Sequence, residues 1–202
     1  MDIMYDYRKM MSEERAKLVM ARKSLGRPWH APPHFGQTGG VYIISAACYE
    51  HRPIMAAETR RAEWERAVID GFGLQSLESI DVRAWVVLPN HYHLIIEGDL
   101  RVFARRIARL HNGKATQWNR EDQADGRKVW HRFSDRIIRS ERHYYASLNY
   151  IHANPVKHGY AASAMDWEWS SFSVYLGAVG RECLADWWRQ YPVADYGKGW
   201  DE

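Results

Sequence analysis

His91 and His93 are the side chains of this sequence best placed to share a metal ion. They flank Tyr92 in the apolar run Ala84-Trp85-Val86-Val87-Leu88-Pro89-Asn90-His91-Tyr92-His93-Leu94-Ile95-Ile96. A strand sends alternate side chains to opposite faces, so the two imidazoles point the same way, about 6.6 Å apart along the strand. Tyr92, Leu94 and Ile96 face the other side, where a helix layer can cover them. Two neighbouring imidazoles can hold one divalent cation. An H-x-H by itself is more often a pair of hydrogen-bonded strand histidines, so a third ligand and a reacting group must come from elsewhere. Tyr150 and Asn154, four residues apart, share one face of a helix and lie about 6 Å apart along its axis. The Asn154 amide oxygen can complete a His-His-Asn set around a hard or borderline ion such as Mg²⁺ or Mn²⁺. Taken alone, Asn154-Pro155 is more often a helix stop and Tyr150 a half-buried packing residue.

The elements that must position these groups follow from periodicity. Val41 to Ala46 is a first strand, rich in β-branched and aromatic residues. Thr59 to Phe72 is a helix, with Trp64, Ala67 and Val68 at helical spacing and Gly71 and Gly73 at its end. Ile80 to Leu88 and His91 to Glu97 are strands joined by a turn at Pro89-Asn90. Leu100 to about Asn119 is an amphipathic helix, and Val129 to Ile138 is a fourth extended segment. A third helix begins at Ser140 as N-cap and is expected to stop at Asn154, because a proline disfavours helical geometry in the residue before it. This order is that of a ferredoxin-like α/β sandwich: an antiparallel sheet with helices on one or both faces, plus an added tyrosine-bearing helix. Residues 1–30 read as a polar, helix-prone extension, 31–178 as the catalytic domain, and 179–202 as a tail. Trp167, Trp169, Trp187 and Trp188 suit an aromatic mini-core covering the sheet better than the alternative, a clamp on DNA.

The whole chain of 202 residues carries a net charge of only +3, but its middle is strongly basic. From Leu100 to His143 there are twelve Lys and Arg against five Asp and Glu. A surplus of that size, interleaved with aromatic rings, suits a phosphate backbone and stacked bases; a solvated helix face with ordinary ion pairs is the plainer alternative. Arg105, Arg106 and Arg109 can track phosphates, as can Arg132 and Arg136, and Trp130 and Phe133 offer stacking faces; packing or a solvated place is an equally credible role for Arg105, Arg106, Arg109, Trp130 and Phe133. No apolar stretch is long enough to span a bilayer, so no membrane partner is expected. The first residues have neither the basic start nor the apolar centre of a signal peptide. Cys48 and Cys183 stand apart with no C-x-x-C spacing, which indicates neither a zinc knuckle nor a disulfide framework. The expected setting is reducing and cytoplasmic.

Four segments together carry a family resemblance. Ala84 to Ile95 resembles the metal-binding strand of the small HUH single-tyrosine transposases, and Tyr150-Ile151-His152-Ala153-Asn154-Pro155-Val156-Lys157-His158-Gly159 resembles their tyrosine helix. Trp130-His131-Arg132-Phe133-Ser134-Asp135-Arg136-Ile137-Ile138 and Trp167-Glu168-Trp169-Ser170-Ser171-Phe172 resemble recurrent stretches of the REP-associated tyrosine transposases, bacterial proteins linked to repetitive extragenic palindromes. The likeness runs from about Phe35 to Gly177. It implies that His91, His93 and Asn154 hold the metal and that Tyr150 is the nucleophile, ahead of Tyr144, Tyr145 and Tyr160. It also implies cleavage and rejoining of single-stranded DNA through a 5′-phosphotyrosine, at palindromic hairpins.

The chemistry is consistent with those parts. A phosphodiester is a slow, charged electrophile that profits from a Lewis acid, and a phenol, ionising near pH 10, profits from a nearby cation. Ligand histidines must be neutral, so activity is expected to fall below about pH 6. A covalent intermediate conserves bond energy, and no glycine-rich phosphate loop is present. Two rival readings stand beside this one. The first is a non-catalytic, domesticated protein that binds single-stranded or hairpin DNA; retention of both histidines, the tyrosine and the asparagine speaks against it. The second is a metal-dependent hydrolase, for which Asp81 and Glu97 are the only nearby carboxylates on the strands. The resemblance allows Tyr150 to serve its own subunit or a homodimer partner.

Overall fold

Four strands form one antiparallel sheet: β1 (Val41–Ala47), β2 (Asp81–Val87), β3 (His91–Glu97) and β4 (Ser134–Ile138), in the order β2-β3-β1-β4. The computed structural model describes residues 39–72, 80–194 and 196, all within the second of two compact units, Gly36–Glu202. The N-terminal extension and the Gly73 stop signal expected from sequence lie outside the described residues. Four helices accompany the sheet: α1 (Glu58–Phe72), α2 (Leu100–Glu121), α3 (Glu141–Lys157) and α4 (Phe172–Gln190). The order β1-α1-β2-β3-α2-β4 and the strand arrangement are those of the ferredoxin-like fold expected from sequence. Its fourth strand is shorter than expected, beginning at Ser134, while Trp130 makes only an isolated bridge to Cys48.

β3 lies inside the sheet, and His91 to Ile96 are all buried, because helices cover both faces. On one face Tyr92 meets Trp64 of α1 and His111 of α2. Trp64, Tyr92, His111, Trp118 and Trp130 pack there as a single aromatic cluster. On the other face His91 and His93 meet α3. One sheet thus separates two layers, and the side-chain alternation of β3 decides which residues reach which.

Local chemistry sets the helix ends. The Asp99 carboxylate accepts from the backbone N–H groups of Arg101 (2.7 Å) and Val102 (3.4 Å) at the start of α2. Its replacement by Ala is expected to lower the unfolding free energy by about 1 kcal/mol, with Asp99→Asn recovering most of the loss; urea unfolding of the two variants checks it. Ser140 caps α3 as expected, its Oγ accepting from the His143 N–H. The expected stop at Asn154 is corrected: α3 runs through the buried Pro155 to Lys157. Pro155 lacks only its own N–H, and the last carbonyls are taken up by amides beyond it. His158 donates to Asn154 and Tyr160 to Pro155. Gly159, at φ 71, supplies the left-handed residue that ends the helix.

The segment Trp167 to Ser171 lies along β2. The Val87 N–H donates to the Trp169 carbonyl, the Ser171 N–H to that of Trp85, and Trp167 Nε1 to that of Val87. The buried Arg61 guanidinium lies 3.8 Å from the Trp169 ring centroid and donates to the carbonyls of Met55 and Ala56. α4 crosses the boundary drawn at residue 178, bends at Gly180 (φ 80), and sets Trp187 against Tyr145. Among the described residues no helix is long and apolar enough to cross a membrane.

Candidate active site

The turn at Pro89-Asn90 delivers β3 so that His91 pairs with Ala47 and His93 with Ser45 on β1. Paired residues share a face, so His91, His93, Ser45 and, further along, Ile43 with its β4 partner Arg136 all lie on the α3 side. The two imidazoles are 4% and 1% exposed, with ring centroids 5.1 Å apart. His93 Nδ1 is hydrogen-bonded to Ser45 Oγ at 2.7 Å. His91 Nδ1 is 2.7 Å from Asn90 Oδ1, and its Nε2 is 3.1 Å from Asn154 Oδ1.

α3 brings the other half. The Tyr150 ring lies 5.1 Å from His93, edge to face, and one turn later Asn154 meets His91. The four residues singled out from sequence therefore converge at one place between β3 and α3. Tyr150 and Asn154 are both 0% exposed. Tyr145 packs instead against Trp187 and Tyr191. Tyr144 hydrogen-bonds to Tyr175, and Tyr160 lies beyond the helix against Trp167.

Among the described residues no three His, Cys, Asp or Glu side chains gather as a metal site. The donor set here is mixed, two imidazoles and an amide oxygen. Asn154 Nδ2 is buried without a hydrogen-bond partner, while Asn154 Oδ1 is turned toward His91. An amide that leaves its donor unsatisfied and directs its oxygen at an imidazole nitrogen fits a borderline cation.

Several neighbours were not singled out as site residues from the sequence. His158, the residue after α3, places its ring 4.9 Å from His91. Lys157 Nζ is 5.1 Å from the Tyr150 ring centroid. Tyr196, from beyond α4, lies 5.8 Å from Tyr150 and hydrogen-bonds to His143 and Ser147. The i+7 and i+8 spacing of Lys157 and His158 from Tyr150 was the one hint available, two helical turns along the same face.

The nucleic-acid residues expected from sequence divide among three places. Arg136 shares the sheet face of His91 and His93. Arg105, Arg106 and Arg109 lie on α2, on the opposite layer, with Arg105 and Arg109 exposed, and Arg132 is exposed just before β4. Trp130 takes the packing role and is a core residue. It is 8% exposed, and its ring stacks on His111 at 4.4 Å and packs against Trp64 at 4.7 Å. Phe133, packed on Phe103, is likewise buried.

No family model matches the chain. It is 34% identical over 101 residues to REP-associated tyrosine transposase of Escherichia coli (strain K12), covering 46% of this chain and 54% of that protein. It is 36% identical over 102 residues to putative REP-associated tyrosine transposase of Haemophilus influenzae (strain ATCC 51907 / DSM 11121 / KW20 / Rd), covering 43% and 55%. The chain thus spans about half the length of the curated relatives it matches. A solved REP-associated tyrosine transposase bound to a REP hairpin superposes with a TM-score of 0.56 at 24% identity, over 72% of this chain and 84% of that one. In sequence, over that shared half, the chain is similar to the REP-associated tyrosine transposases, and its fold is that of a solved one.

Proposed function

We propose that this chain cuts and rejoins single-stranded DNA at hairpin sequences through a covalent bond to Tyr150. The observation that carries the reading is the convergence of His91 with Asn154 and of His93 with Tyr150 at one interface of sheet and helix. The similarity to transposases, one of them solved on a REP hairpin, supports it. In the reaction the Tyr150 oxygen bonds to phosphorus, the bond to the 3′-oxygen breaks, and the phenolic proton is lost as the leaving oxygen gains one. Rejoining is the same exchange in reverse.

His91, His93 and Asn154 are the residues that would hold a divalent cation, Mg²⁺ or Mn²⁺, which supplies positive charge where the phosphate gains negative charge. Ser45 Oγ is hydrogen-bonded to His93 Nδ1 and holds the orientation of that ring. Lys157 sets its ammonium over the Tyr150 ring, where charge develops as the phenol loses its proton. Arg136 and Arg132 are proposed phosphate contacts on the approach to the site, and Arg105, Arg106 and Arg109 on α2. DNA touching both groups has to pass around an edge of the sheet.

The test is covalent trapping of end-labelled single-stranded hairpin DNA on denaturing gels, with Mn²⁺ or Mg²⁺ and with EDTA. The expected result is an SDS-resistant adduct that forms with metal and disappears with EDTA. A chain that binds the hairpin tightly yet forms no adduct under any of these conditions would overturn the proposal. That outcome belongs to a binding-only relative, the reading favoured by the complete burial of Tyr150.

A further inference from the structure

We infer that Tyr160 is a stacking residue for a base of the single strand beside the cleaved phosphate. It is 42% exposed, and among the described residues no other Tyr, Trp or Phe side chain is exposed. Every other described ring of these types is buried or half-buried in packing. The exception stands beside the candidate site. The His158 ring lies 4.9 Å from His91, and the Tyr160 ring lies 6.3 Å from His158 with the two planes 30° apart. The reach from His91 to Tyr160 is therefore no more than about three stacked bases, at about 3.4 Å each. A strand held at His91 and Tyr150 can bring a neighbouring base that far.

The ring is held in advance. At the end of α3 the Gly159 N–H donates to the Val156 carbonyl at 3.0 Å and the Tyr160 N–H to that of Pro155 at 2.8 Å. This pair of hydrogen bonds is a helix-ending motif that fixes the backbone on both sides of the left-handed glycine. The residue in the place of Tyr160 frequently packs an apolar side chain back on the last turn, and a leucine would serve for that. Tyr160 instead lays its ring toward Trp167, with centroids 5.7 Å apart and planes 34° apart. Trp167 is itself fixed: Nε1 donates to the Val87 carbonyl at 3.0 Å, its ring meets Trp169 at 5.1 Å, and the Arg61 guanidinium lies 5.3 Å from its centroid. A flat ring already oriented on a rigid support loses little freedom when a base settles on it. The exposed charges of residues 157–168 are Lys157 against Asp166 and Glu168, which do not favour a phosphate. The recognising feature is then the ring, and stacking accepts any base, because every base has a π-face.

The inference rests on the proposed function only in placing a single strand at Tyr150, and its test reads binding rather than cutting. The full chain in EDTA is titrated, by fluorescence anisotropy, with hairpin DNA carrying a single-stranded flank on its 5′ or 3′ side and with the same hairpin trimmed to its stem. Tyr160→Leu keeps an apolar contact at the helix end and removes the flat ring. It should bind one of the flanked hairpins about 5- to 100-fold more weakly than the wild type does, and the trimmed hairpin equally well. Tyr160→Phe keeps the ring and should restore the lost affinity. An abasic nucleotide stepped through the flank should cost the wild type a similar factor at one position. At that position it should cost Tyr160→Leu almost nothing, because both changes remove the same contact. Backbone amide spectra that superpose on the wild type show that each variant is folded. The inference is overturned if Tyr160→Leu binds both flanked hairpins as the wild type does, if it loses as much affinity for the trimmed hairpin, or if the wild type gains nothing from either flank. A flank-dependent loss that follows Tyr160 in a protein forming no covalent adduct keeps the inference and removes the strand-cutting reading instead.

Discussion

Between neutral pH and about pH 5 the folded protein is expected to lose about 4 kcal/mol of stability through two buried histidines, His111 and His152. Both rings are held by burial at a pKa of about 3, far below the ordinary imidazole value. His111 is stacked between Trp130 and Trp64 and is hydrogen-bonded through Nε2 to the Tyr92 hydroxyl at 2.9 Å. Burial pushes the Tyr92 phenol well above its ordinary value, so both partners of this hydrogen bond are neutral. His152 is hydrogen-bonded to Ser171 Oγ at 3.0 Å, with Phe172 and Tyr175 against its ring. In the unfolded chain each takes up a proton near pH 6.5; in the folded chain neither does until about pH 3. The stability they contribute is therefore complete above the unfolded value and drains away as pH falls toward the folded one. The slope is about 1.4 kcal/mol per pH unit for each histidine.

That loss is a large share of the 5–15 kcal/mol that typically holds a domain together. Asp122, held at about 2 by hydrogen bonds from Arg60 and Arg127, gives up its contribution as pH falls from its ordinary value of 3.8, overlapping only the lowest part of the histidine window. Denaturant unfolding of the metal-free protein at stepped pH measures the slope, and His111→Gln and His152→Gln should each remove about one histidine's share of it. A double variant that keeps the wild-type slope between pH 6.5 and 4 would sink the assignment.

These same residues show how far the sequence could be read. The alternation of a single strand was enough to place His91 and His93 together and Tyr92 opposite. The i,i+4 spacing was enough to align Tyr150 with Asn154, even though the helix ran three residues past its expected end. Both are local rules. What stayed hidden depends on contacts between distant segments: Ser45 behind His93 is 48 residues away, and the His51 carbonyl behind Asn90 is 39. In the basic-aromatic pattern of residues 100–143, the place of the rings stayed hidden for a different reason. Interleaved charge and rings do not say which rings are exposed, and Trp130 went into the core with Trp64 and His111. The position of the α2 arginines was in fact available, because the helix that covers Tyr92 must lie on the face His91 does not use.

Replacing Tyr150 with Phe is expected to abolish the covalent DNA adduct, a loss on the order of 10⁴-fold or more. Phe keeps the ring that packs edge-on against His93 and removes only the oxygen, so the fold and Mn²⁺ affinity should be retained. Tyr145→Phe should leave the adduct intact, because that ring is stacked on Tyr191 and lies against Trp187. Tyr144→Phe and Tyr160→Phe should do so as well, since Tyr144 is engaged with Tyr175 and Tyr160 lies past the end of α3. An adduct that persists in Tyr150→Phe and vanishes in one of the other three would move the nucleophile, and with it the whole geometry of attack. The contact between Tyr150 and His93 is made within one chain, so this nucleophile is expected to serve its own metal ligands. Mixing Tyr150→Phe with His93→Ala protein should therefore recover no adduct. Recovery would mean that α3 is exchanged between two copies, each supplying the half-site the other lacks.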